Sequence, residues 1–288
     1  MSDPLFPSRR RFLRTSAFAA AALAAGRGYA ATGGGKLPVA VQLYSVRGDC
    51  VKDFDGTLAQ LAAMGFEGVE FAGYHNYTGK PKELRRRIDD LGLKAAATHV
   101  GTGALRGEAL QKTIDFHQQI GCKYLIVPGD ADFTDPEKNK ALAEFFNQTA
   151  AILKAVGMAC GYHNHTHEFE KTGDTNYWEL FAGRTGKDVI LQIDCGWAVY
   201  AGQDPADLMK RHPGRTRTVH FKPIVTEADK GVKKAIFGED SVNWPSVLSA
   251  CREFGGTEWL TVEQEVYPDG KSPMECTKLS LAGLRKIL

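Results

Sequence analysis

Residues 161–170 read GYHNHTHEFE, which sets His163, His165 and His167 at alternate positions with Glu168 directly behind them. Alternate residues on a strand share one face, whereas helical neighbours fall three or four apart. Imidazole titrates near neutral pH and is a common metal ligand, so such a row suits proton transfer or coordination. Further along stand Asp194 in QIDCGW (192–197), His220 and Lys222 in VHFK (219–222), and Glu263 and Glu265 in VEQE (262–265). Asp194, His220, Glu263 and one ligand from the histidine-rich stretch would converge on a single divalent ion. Mixed carboxylate and imidazole ligands suit Mn²⁺, the first expectation, or Mg²⁺, Co²⁺ or Zn²⁺, and the lack of thiolates argues against a structural zinc site.

Elements must bring these residues together. LAAMGFEGVEF, IDDLGLKAAATH, HQQIGCKYLIV, LKAVGMACGYH, AGRTGKDVILQI and CREFGGTEWLTVE each show a helix-like end, a glycine (Gly65, Gly92, Gly121, Gly157, Gly186, Gly255) and then an apolar strand. Glycine just past a helix end relieves left-handed backbone strain. With VAVQLYSV (39–46) and TVHF (218–221) the strands number eight, with amphipathic candidates between them at 54–64, 82–91, 110–120, 139–156, 177–184, 205–211 and 242–254. That alternation over residues 38–288 predicts an α/β fold, a single (β/α)8 TIM barrel in one domain. No G-x-G-x-x-G follows the first strand, which argues against a doubly wound sheet. In such barrels the active site collects at the carboxyl ends of the strands. His75, His99, His163, His165 and His220 fall at or just past those ends, whereas His117 and His212 do not and read as ordinary satisfied histidines. The stretch 224–239 carries no pattern and reads as a lid or substrate loop.

The amino terminus reads differently. Arg9, Arg10 and Arg11 precede Phe12 and Leu13, and an Ala-rich apolar segment ends in small residues near Ala30. This predicts an export signal of the twin-arginine class over 1–30, a flexible lead-in over 31–37 and a periplasmic location, with the export machinery as a partner. A formal net charge of +2 gives no reason to expect nucleic acid. The six cysteines show no metal spacing and read mainly as small buried hydrophobes, one bridge being left open. Homo-oligomer formation is also left open.

QLYSVR, GFEGVEFAGY, YHNHTHEFE, IDCGWAVYAGQDP, HFK and VEQE together resemble the xylose-isomerase-like barrel family of sugar isomerases and epimerases. That family also contains inosose dehydratases, enzymes acting on 3-keto-glycosides and a DNA-repair endonuclease branch. The resemblance covers about residues 38–288 and implies one divalent metal held by Asp194, His220, Glu263 and a residue from strand five. There this sequence departs from the family, with His163 where many relatives carry Glu. Strand parity favours His163; preservation of three carboxylates favours Glu168, which is the preferred ligand, with His163 as the alternative.

The remaining expectations follow from the same ring of strand ends. His163, His165 and His99 are candidates for proton transfer. Lys222 points inward, where an ammonium can stabilise an enolate oxygen. Glu265 shares the face of Glu263 and is placed with the catalytic group, its plainer role being to orient a ligand. Gln42, Glu70 and a Trp197 stacking wall are assigned to substrate. The expected activity is metal-dependent isomerisation or epimerisation of an unphosphorylated sugar through an enediolate, with a lyase, hydrolase or dehydratase acting on 3-keto-glycosides or inosose as the alternative. A non-catalytic sugar-binding barrel is the second alternative.

Overall fold

The structure, a computed structural model, describes residues 36–288; the expected export signal and residues 31–35 of the lead-in lie outside the described residues. Eight parallel strands run in the order β6-β5-β4-β3-β2-β1-β8-β7. They are β1 Val39–Gln42, β2 Gly68–Phe71, β3 Lys94–His99, β4 Tyr124–Val127, β5 Ala159–His163, β6 Ile190–Gln192, β7 Thr218–Phe221 and β8 Trp259–Val262. The two ends of this order meet: Leu191 N donates to Arg215 O at 2.8 Å, His220 N donates to Ile193 O at 2.9 Å, and Asp194 bridges to His220. The sheet is thereby closed into the predicted barrel.

Local chemistry explains the helices. The helix Phe54–Met64 starts at Asp53, whose carboxylate accepts from Gly56 N, and stops at Gly65, with φ at 94°. Gly92, Gly121 and Gly157 turn in the same way, at positive φ where a side chain would be strained. Gly186 and Gly255 do not; at the latter position a π-helical turn, Cys251–Gly255, extends the run and Gly256 takes the left-handed conformation instead. Among the described residues three α-helices fall outside the expected segments: Arg47–Lys52, Cys195–Tyr200 and Pro273–Arg285. The last opens on a Ser272–Glu275 capping box that the sequence carries openly.

Side chains sort by strand parity. Val41, Val69, Phe71, Leu125, Val127, Tyr162, Val219, Phe221 and Val262 belong to the large core between strands and helices. Ala97, Tyr124, Ile126, Ala159 and Ile190, with Trp259 against them, form a separate cluster inside the barrel. All six cysteines are buried free thiols, so no bridge forms. The stretch 224–239 is exposed over Lys230–Lys234 and packed down at its far end. Ala235, Ile236 and Phe237 are buried, Phe237 stacks on Trp244 at 4.3 Å, and Gln264 Nε2 donates to Ala235 O at 2.6 Å.

Candidate active site

Asp194 leaves β6 and caps the short helix Cys195–Tyr200, its Oδ1 accepting from Trp197 N at 2.7 Å. Asn164 holds its backbone from both sides, accepting from Asp194 N at 2.9 Å and donating to Asp194 O at 3.3 Å. Gly196 lets this turn close up, because a Cβ there would lie 2.5 Å from Lys222 O. The second oxygen, Oδ2, is buried with no hydrogen-bond partner and lies 3.7 Å from His220 Nδ1. Burial pushes the Asp194 carboxyl up to about 6 against the pull of Lys222.

His220, on β7, is fully buried between carboxylates. Its Nδ1 lies 2.9 Å from Glu263 Oε2 and its Nε2 lies 3.1 Å from Glu70 Oε1. Ligand atoms of His163, Asp194, His220 and Glu263 all fall within 4.8 Å of one another, and His99 joins His163 and His220 in an overlapping group. An orphaned carboxylate oxygen and a second carboxylate facing one imidazole nitrogen demand a positive charge between them. A proton on Nδ1 can supply it, and so can a divalent cation. The donor set of two imidazoles and two carboxylates fits the cation.

Strand five departs from the expectation. His163 stands with the cluster, and Glu168 does not. Beyond His163 the chain leaves the strand and turns through a 3-10 segment, His167–Phe169. Glu168 folds back beneath this loop, fully buried, where it accepts from His165 N at 2.8 Å and from the Tyr162 hydroxyl at 3.4 Å and faces His167 Nε2 at 2.9 Å. Tyr162 has the opposite parity to His163 and belongs to the outer core, so the carboxylate is spent on the far side of the strand.

Gln42 and Glu70 are also placed otherwise than expected. Both are fully buried and neither lines the cavity. Gln42 Nε2 donates to Glu70 Oε1 at 3.1 Å, and that same oxygen faces His99 Nε2 at 2.8 Å. Burial disfavours the Glu70 charge, but His220 and His99 outweigh it and hold the carboxyl well below the usual range. Gln192, which the sequence reading passed over, binds His163 Nδ1 and His99 Nε2 through its carbonyl oxygen, each at 3.0 Å.

Above this layer opens a cavity of about 480 Å³ lined by His99, His163, His165, Glu263, Glu265 and Tyr44, among others. His165 Nδ1 is buried without a partner. Lys222, also buried, lies 3.5 Å from Glu263 Oε2 and bonds Glu265 closely. Trp197 is not part of the cavity wall. Its ring carries the Lys222 ammonium at 4.5 Å, so one face is already occupied. Tyr44, two residues beyond Gln42 and 44% exposed, is the aromatic that reaches the cavity, with Arg47 packed 4.2 Å over its ring. Tyr44 stands past the end of β1, in the 3-10 turn Leu43–Val46, where strand parity gives no signal for it. His75 turns outward onto Phe54, 4.7 Å between rings, while His117 and His212 are satisfied by Tyr74 and Glu179.

Parallel strands carrying a polar cluster at their carboxyl ends define an enzyme-type (β/α)8 barrel with a candidate divalent-metal centre. The chain belongs to the xylose isomerase-like TIM barrel family, whose model matches residues 58–287. An inosose dehydratase of Geobacillus kaustophilus is 22% identical over 263 residues, covering 78% of this chain and 84% of that protein. One from Clostridium perfringens is 25% identical over 264 residues, covering 77% and 86%. Among solved structures, a sugar phosphate isomerase/epimerase from Parabacteroides distasonis superposes with a TM-score of 0.73 at 26% identity, covering 87% of this chain and 98% of that one.

Proposed function

We propose that this protein is a divalent-metal-dependent enzyme that removes the proton next to the carbonyl of an unphosphorylated keto-sugar or keto-cyclitol, isomerising or epimerising it. The observation that carries the reading is the convergence of His163, the orphaned Asp194 Oδ2, His220 and Glu263 at the floor of a cavity. These four residues would hold the ion, and Mn²⁺ suits them, as do Mg²⁺, Co²⁺ and Zn²⁺. The ion would supply Lewis-acid polarisation of the substrate carbonyl.

The chain's own residues supply the rest. His165 faces the cavity with an unpartnered Nδ1, and burial lowers its pKa, so the ring is neutral at pH 7 and able to accept a proton. Its backbone is tied by Glu168, which fixes where that nitrogen stands. Burial works against the Lys222 charge, but Glu263, Asp194 and Glu265 raise its pKa, so it remains an ammonium beside developing negative charge. His99, with Nε2 held by Glu70, also lines the cavity and is a candidate for a second acid or base. Substrate charge is constrained by the wall: among the described residues the cavity is lined by Glu263 and Glu265 and by no arginine or lysine, and Lys222 behind it is already paired. A phosphate dianion would meet those carboxylates without a clamp.

Dehydration is the second reading. Lys222, held protonated behind the cavity wall, can give a proton to a departing hydroxyl by way of Glu265, which lines the cavity and bonds it, and the sequence relatives named above are inosose dehydratases. Incubating Mn²⁺-loaded protein in D₂O with 2-keto-myo-inositol and a panel of free and phosphorylated ketoses separates the outcomes. Deuterium entering beside the carbonyl at unchanged composition marks isomerisation or epimerisation, and loss of one water marks dehydration. Turnover confined to phosphorylated substrates, or no exchange with any of them, sinks the proposal. The export reading is a proposal as well: lysines in place of Arg9, Arg10 and Arg11 leave precursor in the cytoplasm, and unaffected export overturns it.

A further inference from the structure

The buried layer under the cavity contains a carboxylate, two amides and three imidazoles whose protons can be assigned by elimination. Glu70 only accepts hydrogen bonds when ionised. Its Oε1 faces His99 Nε2 at 2.8 Å, His220 Nε2 at 3.1 Å and Gln42 Nε2 at 3.1 Å, and its Oε2 faces Gln192 Nε2 at 3.1 Å. Gln192 Nε2 also donates to Thr218 Oγ1 at 2.7 Å. With its amide nitrogen committed to Glu70 and Thr218, Gln192 must turn its carbonyl oxygen to His163 Nδ1 and His99 Nε2, at 3.0 Å each. Each ring nitrogen that meets these acceptors therefore carries a proton. His220 carries a proton on Nε2, so a cation that displaces the proton shared between Nδ1 and Glu263 meets the Nε2–H tautomer, with the Nδ1 lone pair turned to the space between Asp194 and Glu263. His163 is the Nδ1–H tautomer and keeps its Nε2 lone pair. His99 is the Nε2–H tautomer.

We propose that Glu70 is a positioning residue that fixes all three tautomers, directly for His99 and His220 and through Gln192 for His163, so that a carboxylate on β2 controls the ligand strength of imidazoles on β5 and β7. Without it His220 has a better use for its proton. The ring would take the Nδ1–H form and donate to Glu263 Oε2, 2.9 Å away, which spends the lone pair that a cation needs. The cost follows from what outer partners of ligating histidines contribute, about 10–100-fold in metal affinity. Glu70 cannot instead contact substrate, since it is fully buried.

The affinity half of this inference rests on the metal reading above; the tautomer half does not. The test uses Glu70→Leu, Glu70→Gln and the wild type, each titrated with Mn²⁺ alone by calorimetry and, after ¹⁵N-histidine labelling, compared by NMR with and without diamagnetic Zn²⁺. Glu70→Leu is expected to lower affinity about 10–100-fold and to move the His220 proton to Nδ1. Glu70→Gln keeps an acceptor and loses the charge, so it retains the Nε2–H signature with a smaller loss of affinity. Should the leucine variant fail to fold, the isosteric glutamine variant decides: wild-type affinity overturns the proposal. So does a Zn²⁺-loaded wild type in which His220 carries its proton on Nδ1. If the wild type takes up neither ion, the metal reading falls by itself. The Nδ1–H form of His163 and the Nε2–H form of His99, present in the wild type and altered in Glu70→Leu, then still support the role of Glu70, and their absence from the wild type refutes it.

Discussion

The inside of the barrel has two ends built from the same eight strands. Towards the amino ends, Ala97, Tyr124, Ile126, Ala159 and Ile190 pack with Trp259 into an apolar plug. Towards the carboxyl ends, the buried residues are Gln42, Glu70, His163, Gln192, Asp194, His220 and Glu263. Two residues along one strand separate the two regimes, Ile190 from Gln192. Burial of charge costs free energy unless every group is paired, whereas burial of methyl and methylene groups stabilises by about 25 cal/mol per Å². The difference teaches a division of labour: the plug holds the strands in register and the polar layer spends part of that stability on a site.

The largest effect expected from breaking this division is at the polar end. Asp194→Asn keeps the helix cap, since asparagine caps as well as aspartate, but removes the charge on Oδ2. Loss of a bound cation removes several kcal/mol of transition-state stabilisation, so activity should fall by roughly a thousandfold or more. His220→Ala should do the same. Metal content by elemental analysis should fall with activity in both, while metal-free Asp194→Asn melts within a few degrees of the metal-free wild type and His220→Ala, which leaves Glu70 and Glu263 unpaired, melts lower. Full occupancy with lost activity would place these residues outside the metal shell.

The converse break is Ile190→Ala in the plug. A large-to-small change at a buried isoleucine costs about 2–5 kcal/mol, which in a chain of this size lowers Tm by roughly 4–20 °C. Activity per folded molecule and metal content should stay near wild type. A selective loss of activity without loss of stability would show that the two layers are not separable.

A sharper version of the comparison lies within the histidine-rich stretch. His163→Ala should weaken metal binding, and Glu168→Gln should leave the ion in place while slowing turnover about tenfold or more by loosening His165, within the range of a misplaced acid or base. Metal titration of the two variants, paired with initial rates, checks both. Exchanged phenotypes would return the ligand role to Glu168.

Strand parity made much of this visible in the sequence. The barrel, and the nearness of Asp194, His220, Glu263 and Lys222, follow from alternation and glycine punctuation alone. What parity does not carry is depth: Gln42 and Glu70 face inward as read, but one layer below the cavity, where they meet imidazoles instead of substrate. It also fails where a strand ends. Glu168 lies beyond a turn whose direction is set by its own hydrogen bonds to His165 N and Tyr162, and no local spacing announces them. Trp197 sits on a helix started by Asp194, so its ring is aimed by that cap and met by Lys222.

The smallest effect contrasts a histidine outside the site with those inside. His117 is buried and complete: its Nδ1–H donates to Thr113 O at 2.6 Å, and its Nε2 accepts from the Tyr74 hydroxyl, also at 2.6 Å. Burial lowers its pKa below the ordinary value near 6.5. Between the lowered folded value and about 6.5 the unfolded chain binds more protons than the folded one, so stability rises with pH through that window. The contribution is complete above about 6.5 and is lost as pH falls towards the folded value. Melting curves of wild type and His117→Gln at about pH 7.5 and about pH 5 isolate it, because other titrating groups cancel in the difference. The wild type should lead by a few degrees at the higher pH, and its lead should shrink at the lower one. A lead that grows on acidification would mean that His117 gains a proton on folding, contrary to its two hydrogen bonds.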